Sequence, residues 1–130
     1  MSGIQCVVVT PEQTELDVQA DSVTVPMFDG EMGILQGHSP LVGRLGYGVL
    51  KISGGSGIKE YFVEGGFIQV ANNVVSILTD KLIGKEEVTS KAAEEAMQAA
   101  SELASDQPEL AATKQKAVSR ARAMSRVANG

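Results

Sequence analysis

The chain sorts its residue types by position. Twelve of its 14 glycines lie between Gly30 and Gly84, and none follows until Gly130. All of its aromatic residues (Phe28, Tyr47, Tyr61, Phe62 and Phe67) precede residue 68. Alanine does the reverse, with 12 between Ala92 and Ala128. Glycine and aromatic residues suit turns and strands, whereas alanine has the highest helix propensity. A single 130-residue chain built this way must fold as two unlike parts. The expected class is β + α. Residues 1–85 form a β-sandwich or flattened barrel of about eight to ten strands, and residues 88–130 an antiparallel two-helix hairpin.

The strands are read from apolar alternation and turn residues. Ile4 to Val9 is apolar with Gln5 as its one strongly polar member. Ser22 to Met27 alternates with period two, and Pro26 suggests an edge position. Gly48 to Ile52 and Ile58 to Val63 flank Ser53-Gly54-Gly55-Ser56-Gly57, a hairpin loop. Gly65-Gly66 is expected to turn into a strand at Phe67 to Val70, and Asn72-Asn73 into one at Val74 to Leu78. Shorter pieces fall near residues 14–18, 32–35 and 41–45.

The remainder reads as two helices. Thr89 or Ser90 caps the first, whose apolar stripe is Ala93, Ala96, Met97, Ala100, Leu103 and Ala104. Asp106 opens an aspartate form of the capping box, with Pro108 in the first turn and Glu109 three residues on. The second helix runs to about Ala128, with Leu110, Ala117, Val118, Ala121 and Met124 on its apolar face. Lengths of about 16 and 22 residues and a linker of two to four predict a folded-back hairpin. Alanine at the seam buries little area per contact, so the hairpin is expected to open readily.

Charge divides at the same place. Residues 1–87 carry five basic and 11 acidic side chains, and residues 88–130 carry six and five, giving −6 and +1. Lys114, Lys116, Arg120, Arg122 and Arg126 occupy residues 110–130 without a single acid. Such a cationic helix suits an acidic partner.

Chemistry is thinly represented. One cysteine, Cys6, rules out an intramolecular disulfide, and one histidine, His38, rules out a two-histidine metal site within the chain. No apolar run is long enough to span a membrane, and the start lacks the pattern of a signal peptide. Gly30, Gly33 and Gly37 lack the Lys-Ser/Thr of a phosphate-binding loop. His38 and Ser39 are adjacent in an extended stretch and point to opposite faces, a poor arrangement for a base and its nucleophile. Asp29 and Glu31 read as a surface turn. The residues alone point to a structural or regulatory subunit with no metal, no cofactor and no catalytic site.

Three stretches carry a resemblance. Asp29 to Leu41, D-G-E-M-G-I-L-Q-G-H-S-P-L, resembles the G-E-x-G-I-x-x-G-H-x-P-L motif of the epsilon subunits of F-type ATP synthases. Glu64 to Asp80, E-G-G-F-I-Q-V-A-N-N-V-V-S-I-L-T-D, resembles that family's second motif, and Val8 to Glu12 fits its opening. The resemblance spans essentially the whole chain.

It implies a non-catalytic central-stalk subunit whose sandwich links gamma to the c-subunit ring. Asp29, Glu31, Met32, Gly33 and His38 would line the c-ring and gamma contact. The hairpin would extend toward the alpha and beta catalytic subunits and inhibit ATP hydrolysis, with Lys114, Lys116, Arg120, Arg122 and Arg126 meeting acidic loops there. The location implied is peripheral to a membrane, on the cytoplasmic face of a bacterial inner membrane or the equivalent organelle face, with no nucleic acid involved. Some relatives bind ATP through an Ile/Leu-Asp-x-x-Arg-Ala motif. Here Val88-Thr89-Ser90-Lys91-Ala92-Ala93 lacks its aspartate and arginine, so only Arg122 and Arg126 remain of that site. Gln36 stands where the family often has proline. A competing reading from the residues is a free-standing β-sandwich module whose basic amphipathic helix meets an acidic membrane or nucleic acid.

Overall fold

Alternation builds the first strand. In β1 (Ile4–Val9), Ile4, Cys6 and Val8 are buried while Gln5, Val7 and Val9 are half-exposed, as a strand with one face on a core requires. The structure, a computed structural model, describes residues 3–55, 57–103 and 108–129. The chain falls into two compact units, residues 1–84 and 85–130.

The first unit is an eight-stranded β-sandwich. After β1 come β2 (Thr14–Ala20), β3 (Ser22–Met27), β4 (Gly30–Leu35), β5 (Leu41–Gly54), β6 (Gly57–Ala71), β7 (Val74–Leu78) and β8 (Leu82–Gly84). The strand order is β2-β1-β7-β6-β5-β3-β4, with β8 pairing β6 off this path. Every pairing is antiparallel except β1 with β7. The core gathers branched aliphatic side chains from most strands, among them Val23, Val25, Ile34, Leu50, Ile68 and Ile77. Cys6 lies within it, fully buried, and burial pushes its thiol up to about 12.

Two strands are longer than their sequence suggests. The pieces expected at 41–45 and 48–52 are one strand, β5, of 14 residues, and those at 58–63 and 67–70 are one strand, β6, of 15. Their pairing continues to Gly54↔Gly57, so the expected five-residue hairpin loop is mostly strand. Gly48 is there for closeness, because a Cβ at that position would come 2.8 Å from the Pro26 Cβ.

Gly65-Gly66 does not turn the chain back. It marks the point where β6 changes neighbour, from β8 at Tyr61–Val63 to β7 at Phe67–Ala71. Both glycines have positive φ, 71° and 112°, and a Cβ on Gly66 would collide with the Leu78 carbonyl oxygen. Buried Thr79 serves the backbone beside this hand-over. Its Oγ1 accepts the Glu64 N–H at 3.2 Å and donates to the Lys81 carbonyl at 3.4 Å.

Pro26 is not on an edge. β3 lies between β4 and β5, and Pro26 falls where the β3–β5 register shifts, so its missing N–H removes no bond to β5. Asn72-Asn73 does form the expected turn, both residues in the left-handed region at φ 51° and 63°.

The second unit begins with a short 3-10 helix, Lys85–Glu87, and then forms the hairpin of α1 (Ser90–Ser101) and α2 (Pro108–Asn129), which pack on each other. Thr89 caps α1, its Oγ1 accepting the Ala92 N–H at 3.1 Å. Buried side chains on the two helices include Ala93, Ala100, Ala121, Ala123 and Met124. The expected first helix was too long: α1 has 12 residues, and Leu103 lies beyond it, 39% exposed. Glu102 and Leu103 follow α1, and residues 104–107, where the expected linker falls, lie outside the described residues. Asp106, the expected cap of α2, and Ala104 lie outside the described residues, as do the side chains of Glu109 and Leu110. Among the described residues no helix is long and apolar enough to cross a membrane.

Candidate functional site

The residues singled out at 29–38 lie on one margin of the sandwich. β4 ends the strand order, so among the described residues its outer edge has no neighbouring strand. Asp29 sits in the β3–β4 turn and is exposed. Glu31 and Gly33 are exposed on β4, opposite Pro26 and Thr24. Charged side chains at such an edge discourage unwanted strand pairing and leave the edge available to a polar partner. Met32 differs from its neighbours. It is half-buried and packs against the core, so it anchors the edge from inside.

His38 lies just past β4 and is half-buried. Its N–H donates to the Leu35 carbonyl at 3.1 Å, and its Nδ1 lies 2.8 Å from the carbonyl oxygen of Ser39. The ring is therefore engaged with backbone and not with the Ser39 hydroxyl, which removes the basis for a histidine–serine pair. Among the described residues no group of three His, Cys, Asp or Glu side chains could hold a metal ion.

The five cations of α2 do not share one face. At about 100° per residue, Lys116 and Arg120 form one i, i+4 pair and Arg122 and Arg126 another, centred roughly 120° around the helix. Lys116, Arg122 and Arg126 are exposed, while Lys114 and Arg120 are half-buried. Arg122 and Arg126 thus make the more open of the two basic pairs.

One surface escaped the sequence reading. Phe28, Val42, Phe67 and Leu78 are 70%, 75%, 60% and 53% exposed. Register aligns two of them, Phe67 and Leu78, in one row. Arg44 pairs with Phe67, Phe67 with Leu78, and Leu78 with Val9. Directly paired residues project from the same face of a sheet. Phe28 joins the end of the row. Its N–H donates to the Arg44 carbonyl at 2.9 Å, and the Arg44 guanidinium lies 4.8 Å from its ring centroid. Val42, two residues from Arg44 on β5, faces the same way. An exposed row that is apolar apart from Arg44 is a candidate docking surface. No periodic signal marked it, because Arg44 and Gly46 follow Val42 on β5, and Gly65 and Gln69 flank Phe67 on β6.

The comparisons with known proteins agree with this geometry. The family model described as ATP synthase, Delta/Epsilon chain, beta-sandwich domain matches residues 3–85. An ATP synthase epsilon chain of Rhodopirellula baltica is 49% identical over 120 residues, which is 92% of this chain and 94% of that relative.

The chain belongs to the ATP synthase epsilon-chain family.

A further epsilon chain, from Leptospira borgpetersenii, is 46% identical over 90 residues, 69% of this chain and 71% of its own. Among solved structures, a chain of the Euglena gracilis mitochondrial ATP synthase, an OSCP/F1/c-ring assembly, superposes with a TM-score of 0.81 at 23% identity. It covers 95% of this chain and 80% of that one. A chain from the central stalk and c-ring of the Tetrahymena thermophila mitochondrial enzyme gives 0.77 at 18%, covering 97% and 96%. At those identities the likeness is one of fold. It includes sandwich and helices together, since both coverages extend well beyond residue 85. Epsilon-chain membership accounts for the motifs at Asp29–Leu41 and Glu64–Asp80 as parts of one sandwich.

Proposed function

We propose that this epsilon chain is a non-catalytic coupling subunit that joins gamma to the c-subunit ring and restrains ATP hydrolysis through its hairpin. The observation that carries the docking half is the exposed row Phe28–Arg44–Phe67–Leu78, too apolar to face water without a partner. Gamma would cover this row. The polar edge at Asp29, Glu31 and Gly33, with Met32 beneath it and His38 beside it, would meet the ring. Residues 1–85 would act as the docking domain and residues 88–130 as the regulatory one. The subunit would sit peripherally on the cytoplasmic face of a bacterial inner membrane, or the equivalent face in an organelle.

The regulatory half rests on the hairpin's composition. Its buried side chains are mostly alanine, and each alanine contributes little apolar area. Opened end to end, α1 and α2 would reach about 51 Å at 1.5 Å per residue. Arg122 and Arg126 would lead the contact with acidic loops of the alpha and beta subunits, with Lys114, Lys116 and Arg120 along the same helix. An ATP site at Arg122 and Arg126 would lack the aspartate and arginine from the start of α1, so ATP would bind the isolated chain weakly or not at all.

Co-purification with gamma tests the docking role: the chain is expected to bind gamma stoichiometrically, and replacing Phe67 with glutamate is expected to abolish it. Binding to anionic vesicles or DNA in place of gamma would overturn it. Removing residues 88–130 is expected to leave assembly intact and raise ATP hydrolysis. Unchanged hydrolysis would remove the inhibitory role and leave the coupling role standing.

A further inference from the structure

Asn73 joins three segments that are distant in the chain. It closes the β6–β7 turn with φ 63°. Its carbonyl accepts the Gln5 N–H at 2.9 Å, at the start of β1. Its side-chain Oδ1 accepts the Gly37 N–H at 2.7 Å.

The segment it reaches is exposed and is held on either side of Gly37 by longer bonds. Residues 36 and 37 are exposed, and Gly37 has φ 84°, a conformation that glycine leaves at small cost. Immediately before it, Gln36 Oε1 accepts the Gly3 N–H at 3.1 Å. Immediately after it, the His38 N–H closes a local turn onto Leu35. The Gly37 contact is the shortest of these bonds and ties the segment to a rigid hairpin turn.

We propose that Asn73 is a positioning residue for His38. By fixing Gly37, its side chain sets the direction in which His38 and the adjoining β4 edge are presented to the stalk. The inference rests on the central-stalk reading above. The residue type suits both tasks. Asparagine tolerates the left-handed conformation and offers a short side-chain acceptor. Glycine at 73 would keep the turn and lose the acceptor, whereas aspartate would keep both.

The full-length chain tests this with Asn73→Gly and Asn73→Asp. Amide hydrogen exchange is read at Gly37 by NMR, and affinity is measured for a gamma–c-ring subcomplex. In Asn73→Gly, exchange at Gly37 is expected to rise and affinity to fall, each about fivefold, the worth of one ordinary hydrogen bond. The amides of Val75 and Ile77 should keep their protection, which separates a released segment from a damaged fold. Asn73→Asp is expected to restore both readouts. Unchanged exchange at Gly37 in Asn73→Gly overturns the tether, and released exchange with unchanged affinity overturns the positioning role. A wild-type chain that does not bind the subcomplex overturns the stalk reading itself, while the exchange result still decides the tether.

Discussion

Leu50 and Ala121 are both 0% exposed, yet they hold very different amounts of structure. Burying a leucine side chain contributes about 1.5–3 kcal/mol, whereas a single methyl contributes about 0.8 kcal/mol. The sandwich is built from side chains of the first kind: Ile34, Leu50, Ile68 and Ile77 meet across strands far apart in sequence. The hairpin is built largely from the second, at Ala93, Ala100, Ala121 and Ala123. The fraction of a residue that is buried says whether water is excluded. The area buried says how firmly two elements are held. By that measure the sandwich is held together more firmly than the hairpin.

The most severe test of this contrast is a cavity in each part. Leu50→Ala is expected to destabilise the sandwich by about 4 kcal/mol, read by urea unfolding followed at the strands. Ala121→Gly, which removes a methyl and adds helix-interior glycine, should cost about 2 kcal/mol in the hairpin. Equal costs would break the comparison.

A second test uses Cys6 as a reporter of the sandwich alone. Its thiol stays protonated in the folded state up to about 12, against an ordinary value of 9.0 for the unfolded chain. The raised value makes the stabilisation complete below pH 9 and progressively lost from there to pH 12, because only the unfolded thiol ionises in that window. The loss should reach about 2 kcal/mol by pH 11, and Cys6→Val should remove that slope. Measured unfolding midpoints at pH 9 and 11 decide it. Equal pH sensitivity in the two proteins would mean that the core at Cys6 is already open to water.

The smallest effect sharpens the hairpin side. Thr89→Ala leaves the Ala92 N–H without its cap and should cost about 1 kcal/mol of helix stability. Circular dichroism should register this loss at the helices while strand signals persist. Loss of strand signal in step with helix signal would show that the two parts do not melt separately.

Much of this was legible in the residues. β1, β3 and β7 occupy the stretches that apolar pattern picked out, at Ile4–Val9, Ser22–Met27 and Val74–Leu78. Period two is plain only in β3; β1 and β7 read as short apolar runs marked off by turn residues, and burial agrees with all three. Glycine defeated the reading elsewhere. Gly65-Gly66 and Gly48 look like turn residues but serve a neighbour change and a close approach inside long strands. Only pairing partners, invisible in one sequence, distinguish these uses. Leu103 continued the period of α1 but falls beyond its end, where periodicity alone sets no boundary. The candidate site divided in the same way. The exposed edge at Asp29 and Glu31 follows from a motif, whereas the row from Phe28 to Leu78 is assembled by register across three strands and the turn before β4. Asn73 was read as half of a turn; its bond to Gly37 spans 36 positions and leaves no periodic trace.

The parallel pairing of β1 with β7 has a consequence for synthesis. β1 can join β2 as soon as Ala20 has emerged, but its other flank pairs with Val74–Leu78. Until that later segment is made, a nascent chain carries an open strand edge beside its most apolar stretch. Contacts this distant in sequence also make the sandwich the slow folder of the two parts, while the hairpin draws only on near neighbours. On a ribosome, the sandwich on which the subunit depends would be completed only just before the hairpin begins to emerge.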